Sequence, residues 1–116
     1  MKNNKLFNMS FEIIYTNYLN KVNKKGRSEK ELLDVISWFT GYDEKEIEKS
    51  LIKNESLEKF LIQSPQITKE KDKILGTICG VKIQEIKDPL MKKIRQLDKV
   101  IDELSRGRDI QKIKRY

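Results

Sequence analysis

Apolar side chains recur along this chain at spacings of three and four, the register that builds one greasy stripe on a helix. The first predicted helix starts at Ser10, whose hydroxyl suits an N-cap. It carries Phe11, Ile14, Tyr15, Tyr18, Leu19 and Val22 on one face and stops at Gly26. Its last turn holds Lys21, Lys24 and Lys25, where cations favour the negative end of the helix dipole. Ser28 and Glu31 have capping-box spacing and open a second helix through Leu32, Val35, Ile36 and Phe39, widened by Leu33 and Trp38 and ended by Gly41. Asp43 and Glu46 repeat the box for a third helix with Ile47 and Leu51. Ser56 begins a short fourth with Leu57, Phe60 and Leu61, closed by Ser64-Pro65.

The pattern then breaks. Lys69 to Lys73 alternate in charge and read as exposed. The run from Ile74 to Ile83 is apolar and β-branched but interrupted by Gly76 and Gly80. A helical turn would place Ile74 and Ile78 together, whereas a strand would set Cys79, Val81 and Ile83 against Lys82. No second good strand is visible to pair with it, so an irregular apolar connection with some helix is expected. Asp88-Pro89 is a strong helix start, because proline at the first position has no N–H to waste. Leu90, Ile94, Leu97, Ile101 and Leu104 follow at spacings of four, three, four and three, broadened by Met91 and Val100. Gly107 ends this helix, and Asp109 restarts a final turn anchored by Ile110 and Ile113.

The predicted fold class is therefore mainly α. The chain reads as one multi-helix domain over residues 1–116, with flexible ends at 1–8 and 112–116. Its 116 residues suffice for a single core. No apolar run approaches the ~18 residues of a membrane span, so no membrane partner is expected, and residues 1–7 lack the apolar core of a signal peptide. Cys79 is the only cysteine, which excludes an internal disulfide and suits a reducing cytoplasm.

Charge adds a second layer. The chain is 37% charged with a net charge of +7, from 20 Lys and 5 Arg against 18 acidic residues. Residues 1–30 carry seven basic and two acidic side chains (+5), and residues 31–63 carry four and eight (−4). Residues 64–87 carry five and three (+2), and residues 88–116 carry nine and five (+4). Acidic middle and basic ends can attract one another across the fold or between subunits, or the ends can form a basic outer face. The lysine excess also matches A/T-rich coding bias, and charge runs are most often solvated surface.

Met9-Ser-Phe11, Lys25-Gly-Arg27, Trp38-Phe-Thr-Gly-Tyr-Asp43, Gly76-Thr-Ile-Cys-Gly-Val81, Asp88-Pro-Leu-Met91 and Ile94-Arg-Gln-Leu-Asp-Lys99 occur in this order. Together they resemble a family of small bacterial proteins known as domain of unknown function 2200, over nearly the whole chain. The resemblance implies a single-domain bacterial cytoplasmic protein and carries no functional residue with it. Read physically, Trp38 to Asp43 is a helix–turn–helix corner packed by an indole, and Arg95 and Asp98 are spaced to pair.

Histidine is absent, which removes imidazole acid–base work, His-activated nucleophiles and His metal sites. One cysteine cannot hold zinc or an iron–sulfur cluster, and no phosphate-binding glycine motif is present. Asp98, Asp102 and Glu103 cluster on the last long helix but interleave with Arg95 and Lys99, which reads as a solvated face. Cys79 sits between apolar neighbours and reads as a buried, inert thiol. No enzyme, metal or cofactor is expected.

Two roles remain. One is a protein-interaction or self-association module, with a protein partner or a second copy docking on the Leu90, Ile94, Leu97, Ile101, Leu104 stripe. The competing reading makes that stripe the spine of the chain's own core. The other role is weak, sequence-independent nucleic-acid binding. Its phosphate contacts would be Lys21, Lys24, Lys25 and Arg27 with Arg106, Arg108, Lys112, Lys114 and Arg115. A groove-reading helix-turn-helix is disfavoured, because the would-be recognition helix begins Asp43-Glu44-Lys45-Glu46.

Overall fold

Side chains close the helix ends where the spacing predicted. In the computed structural model, which describes residues 7–65, 73–78 and 80–115, α1 spans Phe11–Lys24, α2 Glu29–Thr40, α3 Glu44–Lys53 and α4 Leu57–Ile62. Ser10 Oγ accepts the Glu12 N–H, and both capping boxes form at Ser28/Glu31 and Asp43/Glu46. The longest helix, α5 (Pro89–Ser105), is capped by Asp88 through the Leu90 and Met91 N–H groups, and α6 (Ile110–Ile113) follows. Gly41 takes the left-handed conformation (φ +83°) that ends α2, a shape costly for residues with a Cβ.

Helices α1, α2 and α5 pack against one another, α3 lies on α1 and α2, α4 touches α1 and α5, and α6 is held by α2 and α5. Near the start of α1 the backbones also join. The Phe11 N–H donates to Glu55 O (2.7 Å) and the Leu57 N–H to Met9 O (2.8 Å), around a bridge between Ser10 and Ser56. Phe11 and Phe60 then stack with ring centroids 3.7 Å apart, and Tyr42 lies 4.7 Å from Phe60. Tyr42 Oη donates to the Phe60 carbonyl at 2.7 Å, so a buried phenol is satisfied. Trp38 is half-buried against the same core, as the corner reading expected.

The apolar connection resolves into β1 (Thr77–Ile78) and β2 (Val81–Lys82), paired antiparallel as Thr77↔Lys82 and Ile78↔Val81, then a 3₁₀ turn at Ile83–Glu85. The strand partner missing from the sequence reading comes from the same segment, which folds back around Gly80 (φ +78°). Ile74, Ile78 and Ile83 are buried while Val81 faces outward, so a short hairpin and a 3₁₀ turn stand where an irregular connection with some helix was expected. Cys79 and the charged stretch 66–72 lie outside the described residues, as do residues 1–6 of the expected flexible N-terminus.

The C-terminus is packed in two places where the sequence reading left side chains free. In the 112–115 tail Ile113 is fully buried, Lys114 Nζ contacts Asp34 at 2.9 Å, and the Arg115 guanidinium forks onto Glu103. The partner-helix stripe is also occupied. Ile94, Leu97, Ile101 and Leu104 are buried in the chain's own core and Leu90 packs against its edge, because α5 is the helix around which α1, α2 and α4 gather. Among the described residues no helix is long and apolar enough to cross a membrane.

Candidate functional site

The C-terminal ends of α1 and α5 bring the two basic ends of the sequence together. Arg27, just after α1, donates from Nη1 to the Arg108 carbonyl (3.1 Å), and its Nη2 meets Glu31 at 3.0 Å. Beside this joint lies an open groove of about 510 Å³, lined by Lys21, Thr77, Ile78, Lys99, Asp102, Glu103, Arg106 and Arg108. Four cations face two carboxylates there. Lys99 reaches it from α5 and is steadied by the Thr77 carbonyl at 3.2 Å. Sequence reasoning missed Lys99, because only the hairpin's docking on α5 brings Thr77 to it.

Asp102 and Glu103 are not a solvated face, contrary to the sequence reading. Asp102 Oδ1 accepts Lys21 Nζ at 3.0 Å and its Oδ2 accepts Arg106 Nε at 2.8 Å. Burial would raise the Asp102 carboxyl, but the hydrogen bonds and charges of Lys21 and Arg106 outweigh it and hold it below the ordinary carboxylate range. Glu103 is nearly enclosed and takes Arg115 through both oxygens, with Arg108 at 3.3 Å. Lys21 and Arg115 reach these carboxylates from elsewhere in the fold, a proximity that charge counting along the chain does not display.

Exposure and position separate the nine sequence-predicted phosphate contacts into three groups. Arg27, Lys114 and Arg115 have side chains only 15%, 15% and 12% exposed and are tied to Glu31, Asp34 and Glu103. Their charge is spent on holding the fold. Lys21, Arg106 and Arg108 remain 46%, 76% and 46% exposed despite their ion pairs. The cation side of each pair is therefore open to an incoming phosphate, while the carboxylate side, Asp102 at 15% and Glu103 at 8% exposed, is not. Lys24, Lys25 and Lys112 are exposed but do not line the groove. Arg95 pairs with Asp98 at 3.2 Å, as its spacing predicted, and Asp98 also accepts the Tyr18 hydroxyl.

A smaller groove of about 370 Å³ lies on α2 and the start of α3. Lys30, Glu31, Leu33, Asp34, Ser37 and Glu44 line it, three carboxylates against one lysine. The acidic first turn of α3 is exposed here, which keeps the helix-turn-helix mode of DNA reading unfavourable. Among the described residues no group of three His, Cys, Asp or Glu is placed to hold a metal ion.

A family model described as an uncharacterised protein conserved in bacteria, DUF2200, matches residues 5–115. A solved crystal structure, of the uncharacterised protein SP1917, superposes with a TM-score of 0.91 at 39% identity, covering 97% of this chain and 92% of that one. No curated protein matches.

Proposed function

The chain belongs to the bacterial DUF2200 family of uncharacterised proteins, and from that premise we propose that it is a non-enzymatic binding module for the backbone of a nucleic acid. The observation that carries this reading is the convergence of Lys21, Lys99, Arg106 and Arg108, drawn from both ends of the sequence, on one open groove. Phosphate binding needs cations that water, and so a phosphate, can reach, and Lys21, Arg106 and Arg108 meet that condition. Sequence preference needs side chains that reach base edges or stack on bases. Among the described residues every aromatic side chain is buried or half-buried, so no stacking platform is offered. Backbone contact without base reading is the mode that remains, in a cytoplasmic setting.

Fluorescence anisotropy with a short DNA duplex tests this at about 50 mM salt, where phosphate contacts are strong. The affinity should be independent of sequence and fall with salt at a log–log slope of about −2 to −4, for up to four neutralised phosphates. Absence of binding to any duplex or single strand would remove the reading.

A second reading rests on the pair of grooves. The basic groove of one copy and the acidic groove of another are complementary, which is a head-to-tail form of self-association. Light scattering at rising protein concentration separates the two: only self-association raises the mass without nucleic acid present.

A further inference from the structure

We propose that Asp102 is a built-in counter-ion that occupies two of the groove's exposed cations, Lys21 and Arg106, and thereby sets its affinity for phosphate; this rests on the nucleic-acid reading above. Asp102 bridges two elements. Its Oδ1 holds Lys21 from α1 at 3.0 Å, and its Oδ2 holds Arg106, beyond the end of α5, at 2.8 Å. A phosphate approaching the groove meets cations that already have an anion, and it must draw both away from a carboxylate tethered beside them. The exposure of those cations makes the exchange feasible: their side chains are 46% and 76% accessible, and because they hold opposite oxygens of the 15%-exposed Asp102, either can turn to a phosphate while the other keeps the carboxylate paired.

The neighbouring carboxylate differs. Glu103 is 8% exposed and binds Arg115, itself 12% exposed, through a two-point fork. A phosphate cannot reach that guanidinium without undocking the last turn, so Glu103 is a structural anion. Asp102 is the exchangeable one. Glu103 also meets the groove cation Arg108 at 3.3 Å, but its enclosed fork to Arg115 fixes it, whereas both partners of Asp102 are open to water.

The test compares wild-type protein with D102N and with E48Q, an exposed carboxylate on α3 that does not line the groove. Anisotropy with the same short duplex should show D102N binding about three- to tenfold tighter, the scale expected for removing one nearby negative charge. Its salt slope should be steeper by about one, while E48Q stays close to wild type. A D102N affinity equal to or below wild type, or an equal gain in E48Q, overturns the proposal while leaving duplex binding intact. Loss of binding in wild type and D102N alike instead fails the underlying reading. Should circular dichroism show D102N unfolded, the wild-type protein decides: the Arg106 Nε–H resonance must move when duplex is added, and an unmoved resonance overturns the proposal.

Discussion

The junction of α1 with α4 and the place where the C-terminal ends of α1 and α5 meet use the same first helix and hold it by opposite physics. At the first, Phe11, Phe60 and Tyr42 stack in the dry interior. At the second, Lys21, Arg27, Asp102, Glu103, Arg108 and Arg115 form a partly wet web of ion pairs. Dry contacts cost much to break and commit a region to structure. Wet ion pairs cost little, so they leave a surface able to exchange one anion for another. On the proposed reading, binding belongs at the charged end, while the aromatic end serves the stability of the fold.

Truncating the stack should therefore be the most damaging change. Phe60→Ala removes a fully buried ring in contact with two others and should cost about 3–5 kcal/mol in urea unfolding. A cost below about 1 kcal/mol would mean the junction is not core. Glu103→Gln comes next, at about 2–3 kcal/mol, because it strands Arg115 beside a neutral group. The figure stays under the ~3–5 kcal/mol of an enclosed pair because the last turn can swing into water.

The two regions should also fail at opposite ends of the pH scale. Burial, helped by Glu55 and Glu46, pushes the Tyr42 phenol up to about 12. Burial with the Glu29 hydrogen bond and charge pushes Tyr15 higher still. Raised pKa values give stability that is full below the ordinary phenol value of about 10 and lost as pH rises beyond it. Tyrosinate absorbance of these two rings should thus appear only together with unfolding. At the charged end the Asp102 carboxyl is held low, so its contribution is full above about pH 4 and lost as pH falls through its folded value. Plots of urea stability against pH should show that acid limb in wild type and a flatter one in Asp102→Asn. The smallest effect belongs to Arg106→Ala, whose side chain is largely in water: less than about 0.5 kcal/mol of stability, with a clear loss of duplex affinity.

The same contrast explains what the sequence disclosed. Helix starts at Ser10, Ser28, Asp43, Ser56 and Asp88 were legible because a cap and its bonded N–H lie within three residues. The apolar stripes were legible because 3.6-residue periodicity is local. The Phe11–Phe60 stack and the role of Tyr42 were not, since they depend on how separate helices meet. Glu103 misled for the same reason: its charged neighbours along α5 suggested water, whereas the arginines that bury it come from beyond Gly107. The β1–β2 hairpin was hidden because each strand has only two residues, too few for alternation to register.

Backbone amide shifts of the isotope-labelled protein, followed by NMR as a short DNA duplex is added, test the central claim most directly. The account predicts that perturbations gather at Lys21, Lys99, Arg106 and Arg108, fade as salt is raised, and leave α3 and the Phe11–Phe60 junction unmoved. Shifts centred on α3, or none anywhere at low salt, would contradict it.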